Sequence, residues 1–222
     1  MKKLLLAFAA LLLLNMAQAQ STKVRIETTM GNITLMLYDG TPLHRDNMKK
    51  LVKEHFYDST LFHRVIPQFV IQGGDPDSRR AAPDKALGDG DVGYRIPAEI
   101  DTQYYHKRGA VGMARDDNPK KESSGCQFYI VIGKPFDEAA LDGAAKRSGH
   151  PIPAAHREVY KTLGGTPHLD GNYTVFGEVT EGMDVADKIA AVSTQKPGDR
   201  PLQDVRMIRV TLVKKKKRFL FF

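Results

Sequence analysis

The chain has 222 residues, 41% of them hydrophobic and 27% charged, with a single cysteine and a formal net charge of +7. That composition excludes an intrinsically disordered body, and one Cys excludes an internal disulfide framework. Lys2, Lys3 and the run Lys214 to Arg218 account for the whole positive excess; the body is neutral, unlike a nucleic-acid binder that spreads basic charge over a face.

In chain order, Lys2 and Lys3 precede an apolar run from Leu4 to Leu14, and Ala17-Gln18-Ala19 supplies a small-x-small cleavage pattern. This reads as a signal peptide over 1–19 with the mature chain starting at Gln20. The apolar run is too short for a stable membrane span. Export follows, with a bacterial periplasm as the compartment. Val24 and Ile26 alternate with polar neighbours as a half-buried strand does; Gly31-Asn32 reads as a turn, and Ile33, Leu35 and Leu37 as the returning strand. Thr41-Pro42 is an N-cap followed by Pro at the first helical position, and Met48, Leu51 and Val52 carry a helix to about His55. Strands are predicted over 61–66, 69–72, 110–113, 128–132, 174–179 and 205–213. A second helix follows Gly182, through Val185, Ile189 and Val192. Residues 79–93 read as loop. Residues 134–168 form a polar insertion with a short helix over 154–163. Most of the seven histidines read as surface or capping residues, and Cys126 as a small buried residue. The tail Lys214 to Phe222 is a basic and aromatic terminus capable of weak contact with an anionic surface. The body of the chain, 20–213, is one domain, mainly β, with the many short strands of a closed antiparallel barrel.

Four segments carry the chemistry: FHRVIPQFVIQGGD (Phe62 to Asp75), GAVGMAR (Gly109 to Arg115), SSGCQFYIVIG (Ser123 to Gly133) and HLDGNYTVFGEV (His168 to Val179). In this order they resemble the cyclophilin family over nearly the whole mature chain, and it is their conjunction that is specific. The resemblance implies an eight-stranded antiparallel barrel with two capping helices, and prolyl cis–trans isomerisation in a groove on the barrel's outer surface. By motif position Arg64 matches the family's catalytic arginine. Phe69, Val70, Gln72, Ala114, Arg115, Gln127, Tyr129, His168, Leu169 and Tyr173 match its substrate groove. Val70 stands for the usual methionine, Tyr129 for phenylalanine, Tyr173 for histidine, His168 for a frequent tryptophan and Arg115 for a frequent asparagine whose role is mostly through the backbone. These departures imply a reshaped groove and weaker cyclosporin binding.

The reaction explains the residue types. A peptide C–N bond resists rotation by about 18–20 kcal/mol because the nitrogen lone pair is delocalised. In the twisted transition state the lone pair returns to nitrogen, and a fixed guanidinium N–H aimed there favours that state over the planar ground state. The apolar residues grip the proline ring. Gln72 bonds the substrate backbone and holds Arg64. No nucleophile, general base, metal or other cofactor is called for. The partner is a proline-containing polypeptide segment, with no nucleic acid, and the protein is expected to act as a monomer.

Overall fold

A computed structural model describes residues 22–213; the predicted signal peptide and basic tail lie outside them. Period-two alternation becomes β1 (Thr22–Thr28) and β2 (Gly31–Leu37), paired antiparallel from Thr22 opposite Leu37 to Thr28 opposite Gly31. The turn lies two residues earlier than expected, at Thr29-Met30. Thr28 fixes it: its hydroxyl donates to the Gly31 carbonyl and accepts from the Met30 N–H.

Helix α1 (Pro42–Lys53) starts on its proline and buries Met48, Leu51 and Val52. Then come β3 (Arg64–Ile66), β4 (Val70–Gly73), β5 (Arg95–Ile96), β6 (Ala110–Met113), β7 (Ser123–Ser124) and β8 (Phe128–Val131). Helices α2 (Glu138–Ser148) and α3 (Ala154–Thr162) occupy the insertion. Strand β9 (Val175–Glu181), helix α4 (Met183–Ala190) and β10 (Met207–Leu212) complete the fold.

Eight strands form one curled sheet in the order β10-β1-β2-β9-β6-β8-β4-β3, and β5 and β7 form a separate two-residue ribbon. The expectation of a closed barrel is corrected: the sheet is a half-barrel with an open seam between β3 and β10. The seam holds an isolated bridge, Leu61 to Arg206, flanked by Phe62 N–H to Val205 O at 2.9 Å and Met207 N–H to Thr60 O at 2.8 Å. The ladder stops because Val65, in β3, donates instead to the Asp199 carbonyl of the loop before β10. Arg200 anchors that loop, 4% exposed and bonded to Asp204 and to the Ala82 and Lys85 carbonyls. The two expected capping helices are α1 and α4, and the described residues contain four α-helices in all.

The main core fills the concave side of the sheet with Val24, Ile26, Ile33, Leu35, Val65, Ile71, Val111, Phe128 and Ile130, packed under α1 and α4. Alternation sends their neighbours outward. Val70, Ala110, Tyr129, Val131 and Val175 therefore form a second apolar cluster on the opposite face, joined by Phe69, Leu169 and Tyr173. The insertion has its own small core of Leu141, Ala144, Ile152 and Tyr160. No helix among the described residues is long and apolar enough to cross a membrane.

Candidate active site

The outward cluster is the floor of a cavity of about 320 Å³. Strand β4 contributes Val70 and Gln72, β8 contributes Tyr129, and the short turn before β9 contributes Leu169. Phe69 enters from the β3–β4 turn and Tyr173 from the loop two residues before β9. Arg64 stands at the rim, directly opposite Gln72 in the β3–β4 register. Its Nη1 donates to Gln72 Oε1 at 3.3 Å, and Gln72 Nε2 donates to Gln127 Oε1 at 3.0 Å. Gln127 Nε2 in turn donates to the carbonyls of Gly88 and Gly90, at 2.7 and 2.8 Å. The arginine is thus held through two amides by the loop over 79–93. That loop is itself fixed by Asp75, fully buried, whose carboxylate accepts from the N–H groups of Asp77 and Gly88.

Nine of the eleven residues named from the sequence line this one cavity. Gln127 stands behind Gln72 and lines an adjoining cavity with Gly90 and Tyr94. His168 lies on the far side of Phe69, stacked on it at 5.4 Å between ring centroids and 19° between planes. Arg115 uses its side chain as well as its backbone: Nε donates to the Asn172 carbonyl at 2.8 Å and the guanidinium lies over the Tyr173 ring.

Several site residues escaped the sequence reading. Leu87, Gly88 and Asp89 line the cavity from the loop. His63, 2% exposed, lines it beside Arg64, and neither ring nitrogen has a hydrogen-bond partner among the described residues. Burial pushes its pKa down to about 4, against an opposing pull from Asp75. His44 and His106 are also buried, so three of the seven histidines belong to the interior and not to the surface. His106 is functional scaffolding. Its Nδ1 donates to Asp170 Oδ1 at 2.8 Å, and its Nε2 lies 2.8 Å from the Tyr129 hydroxyl. Asp170 also accepts from the His106 N–H at 2.9 Å and from the Tyr160 hydroxyl of α3 at 2.6 Å. Burial, then the neighbouring Tyr173 and Asp170, hold the Tyr129 phenol well above its ordinary range. The ring has room because the facing residue is Gly112, where any Cβ would run into it. The signal available in the sequence was the pairing of Tyr129 with an unusually small Gly112, legible only once their strands are known to be neighbours. Cys126 is buried as expected, and burial pushes its thiol up to about 11.

The sequence profile of the family described as cyclophilin type peptidyl-prolyl cis-trans isomerase/CLD matches residues 23–212. A peptidyl-prolyl cis-trans isomerase of Acinetobacter baylyi is 32% identical over 205 residues, 90% of this chain and 90% of its own length. A Streptococcus pyogenes protein named for both phosphatase and peptidyl-prolyl cis-trans isomerase activity is 38% identical over 186 residues; these cover 82% of this chain but 37% of that longer relative. A crystal structure of a cyclophilin type isomerase from Cryptosporidium parvum superposes with a TM-score of 0.64 at 22% identity, covering 88% of this chain and 99% of that one, a likeness of fold. The chain belongs to the cyclophilin family. Its enzyme class is peptidyl-prolyl cis–trans isomerase.

Proposed function

We propose that this isomerase acts on X-Pro bonds of exported polypeptides and assists their folding, with Arg64 as the donor to the twisting nitrogen. The observation that carries this reading is the Arg64–Gln72–Gln127 chain at the mouth of an apolar cavity. It places a permanently charged planar donor, already restrained, beside a slot sized for a proline ring. Phe69, Val70, Tyr129 and Leu169 grip the ring while the segment before it rotates. A preorganised donor of this kind lowers the barrier by roughly 3–4 kcal/mol. Export rests on the Lys2-Lys3, Leu4 to Leu14 and Ala17-Gln18-Ala19 pattern, and an intact mass that retains residues 1–19 in protein recovered from its host would refute it.

Arg64→Ala should lower kcat/KM for isomerisation by about two to three decades, from roughly 1.4 kcal/mol per tenfold. Arg64→Lys should rescue poorly, because a flexible ammonium does not reproduce the planar fork. Affinity for a proline peptide should fall far less in both, whereas Phe69→Ala should lose binding together with turnover. Exchange spectroscopy and peptide titration on the same variants make the comparison. Wild-type turnover by folded Arg64→Ala would remove the catalytic assignment and leave a proline-binding module.

A further inference from the structure

Beyond Phe69 the groove continues into a second cavity of about 460 Å³, walled by the insertion. Phe69 lines both cavities, and His168, stacked on it, lines the second. The walls are pinned. The Lys134 carbonyl accepts from the Gly165 N–H at 3.2 Å, the Phe136 N–H donates to the Tyr160 carbonyl at 3.1 Å, and Asp137 caps α2 by accepting from the Ala140 N–H at 2.7 Å. Ala140, Ala144 and Arg147 recur at helical spacing along the face of α2 that packs toward the Pro167–Leu169 turn.

The polar groups around this space point to one kind of occupant. Lys134 and Arg147 line it, both exposed, and neither has an ion-pair partner among the described residues. The one lining carboxylate, Asp137, is engaged at the N-terminus of α2. Thr166, 1% exposed, leaves its hydroxyl without a partner among the described residues, and so does His168 at Nδ1. Gln68, at the tip of the β3–β4 turn and on the cavity's edge, holds a positive φ of 58° that few non-glycine residues adopt.

We propose that this second cavity is a subsite for an acidic side chain, Asp or Glu, on the same polypeptide whose proline occupies the Arg64 cavity. Lys134 and Arg147 supply the charge. The proposal rests on the isomerase reading of the Arg64 cavity and adds to it a preference set by the insertion. Selection by exposed cations is modest and sensitive to salt.

The test uses the full chain and a set of Ala-Pro peptides carrying a single Glu, or Gln at the same position, at successive positions on either side of the proline. At one position the Glu peptide should exceed its Gln twin in kcat/KM by about three- to tenfold at low ionic strength, the scale of one or two such pairs. The gain should sit in KM, and it should vanish in about 0.5 M salt. The double variant Lys134→Ala/Arg147→Ala should abolish the preference while turning over every Gln peptide at the wild-type rate, and Arg147→Glu should reverse it toward a Lys peptide. Equal rates for Glu and Gln peptides at all positions, in a chain active on both, would overturn the subsite alone, as would a preference that survives the double variant. A chain inactive on every peptide would overturn the isomerase reading and the subsite with it.

Discussion

Asp170→Ala is the substitution that most directly tests how the insertion is tied to the groove. One carboxylate accepts three hydrogen bonds, from the His106 N–H, His106 Nδ1 and the Tyr160 hydroxyl. Tyr160 is fully buried in the insertion's own core, and His106 is fully buried beneath Tyr129. Truncation leaves three buried donors without an acceptor, each worth about 1 kcal/mol or more. The chain should therefore lose about 3 kcal/mol of stability. For a domain of this size about 2–4 °C of Tm is lost per kcal/mol, so the transition should fall by roughly 6–12 °C. Tyr160→Phe alone should lose about 1 kcal/mol. In the Asp170→Ala background it should be nearly silent, because the partner has already gone. Thermal and urea unfolding of the four proteins complete the cycle. A Tm for Asp170→Ala within about 2 °C of wild type, or strict additivity of the two substitutions, would show that the network does not tie α3 to the groove.

His63 should make the fold acid-sensitive. Its folded pKa of about 4 lies below the ordinary histidine value, chiefly because burial disfavours the charged ring. Between about pH 6.5 and 4 the unfolded chain binds the proton and the folded one does not, so stability is complete above that window and falls as pH drops through it, by about 3 kcal/mol in all. His63→Leu should flatten that part of a pH series of urea midpoints, and an unchanged slope would refute the assignment. Gly112→Ala should force the Tyr129 ring out of place, lowering stability by about 1–3 kcal/mol and weakening affinity for a proline peptide; wild-type affinity by titration would show that the ring tolerates the added methyl.

What the sequence revealed follows from where a pattern repeats. β1 and β2 are visible because alternation persists over seven residues, and β6 and β8 because they are short, nearly unbroken apolar runs buried on both faces. Strands β5 and β7 have two residues each, too few for any period. Helix α2 went unpredicted although Asp137 caps it and Gly149 closes it at a φ of 74°; its alanines and charges left a weak apolar stripe, and a polar insertion favours a loop reading. The open seam was out of reach because it depends on a single backbone donor, Val65, bonding to a loop instead of to a strand. At the site, the residues set by local motif (Arg64, Phe69, Gln72, Leu169) are brought together as expected. The hidden part joins segments far apart in the chain: His106, Tyr129, Tyr160 and Asp170 meet only after β6 and β8 have paired and the insertion has docked. No spacing rule encodes such a meeting.

The two faces of the curled sheet divide labour between adjacent residues. Ile71 lies in the main core and Gln72 in the groove, as do Phe128 and Tyr129. Substitutions at groove positions need not disturb the contacts that hold the sheet together, because the strand backbone separates them. A lineage can therefore retune which prolines it selects, exchanging methionine for valine along one side of a strand, while selection for folding acts on the other. The exception is Gly112, whose missing side chain is the space Tyr129 uses. Gly112 has no room for a side chain while Tyr129 keeps its ring, and there the freedom to vary the groove narrows.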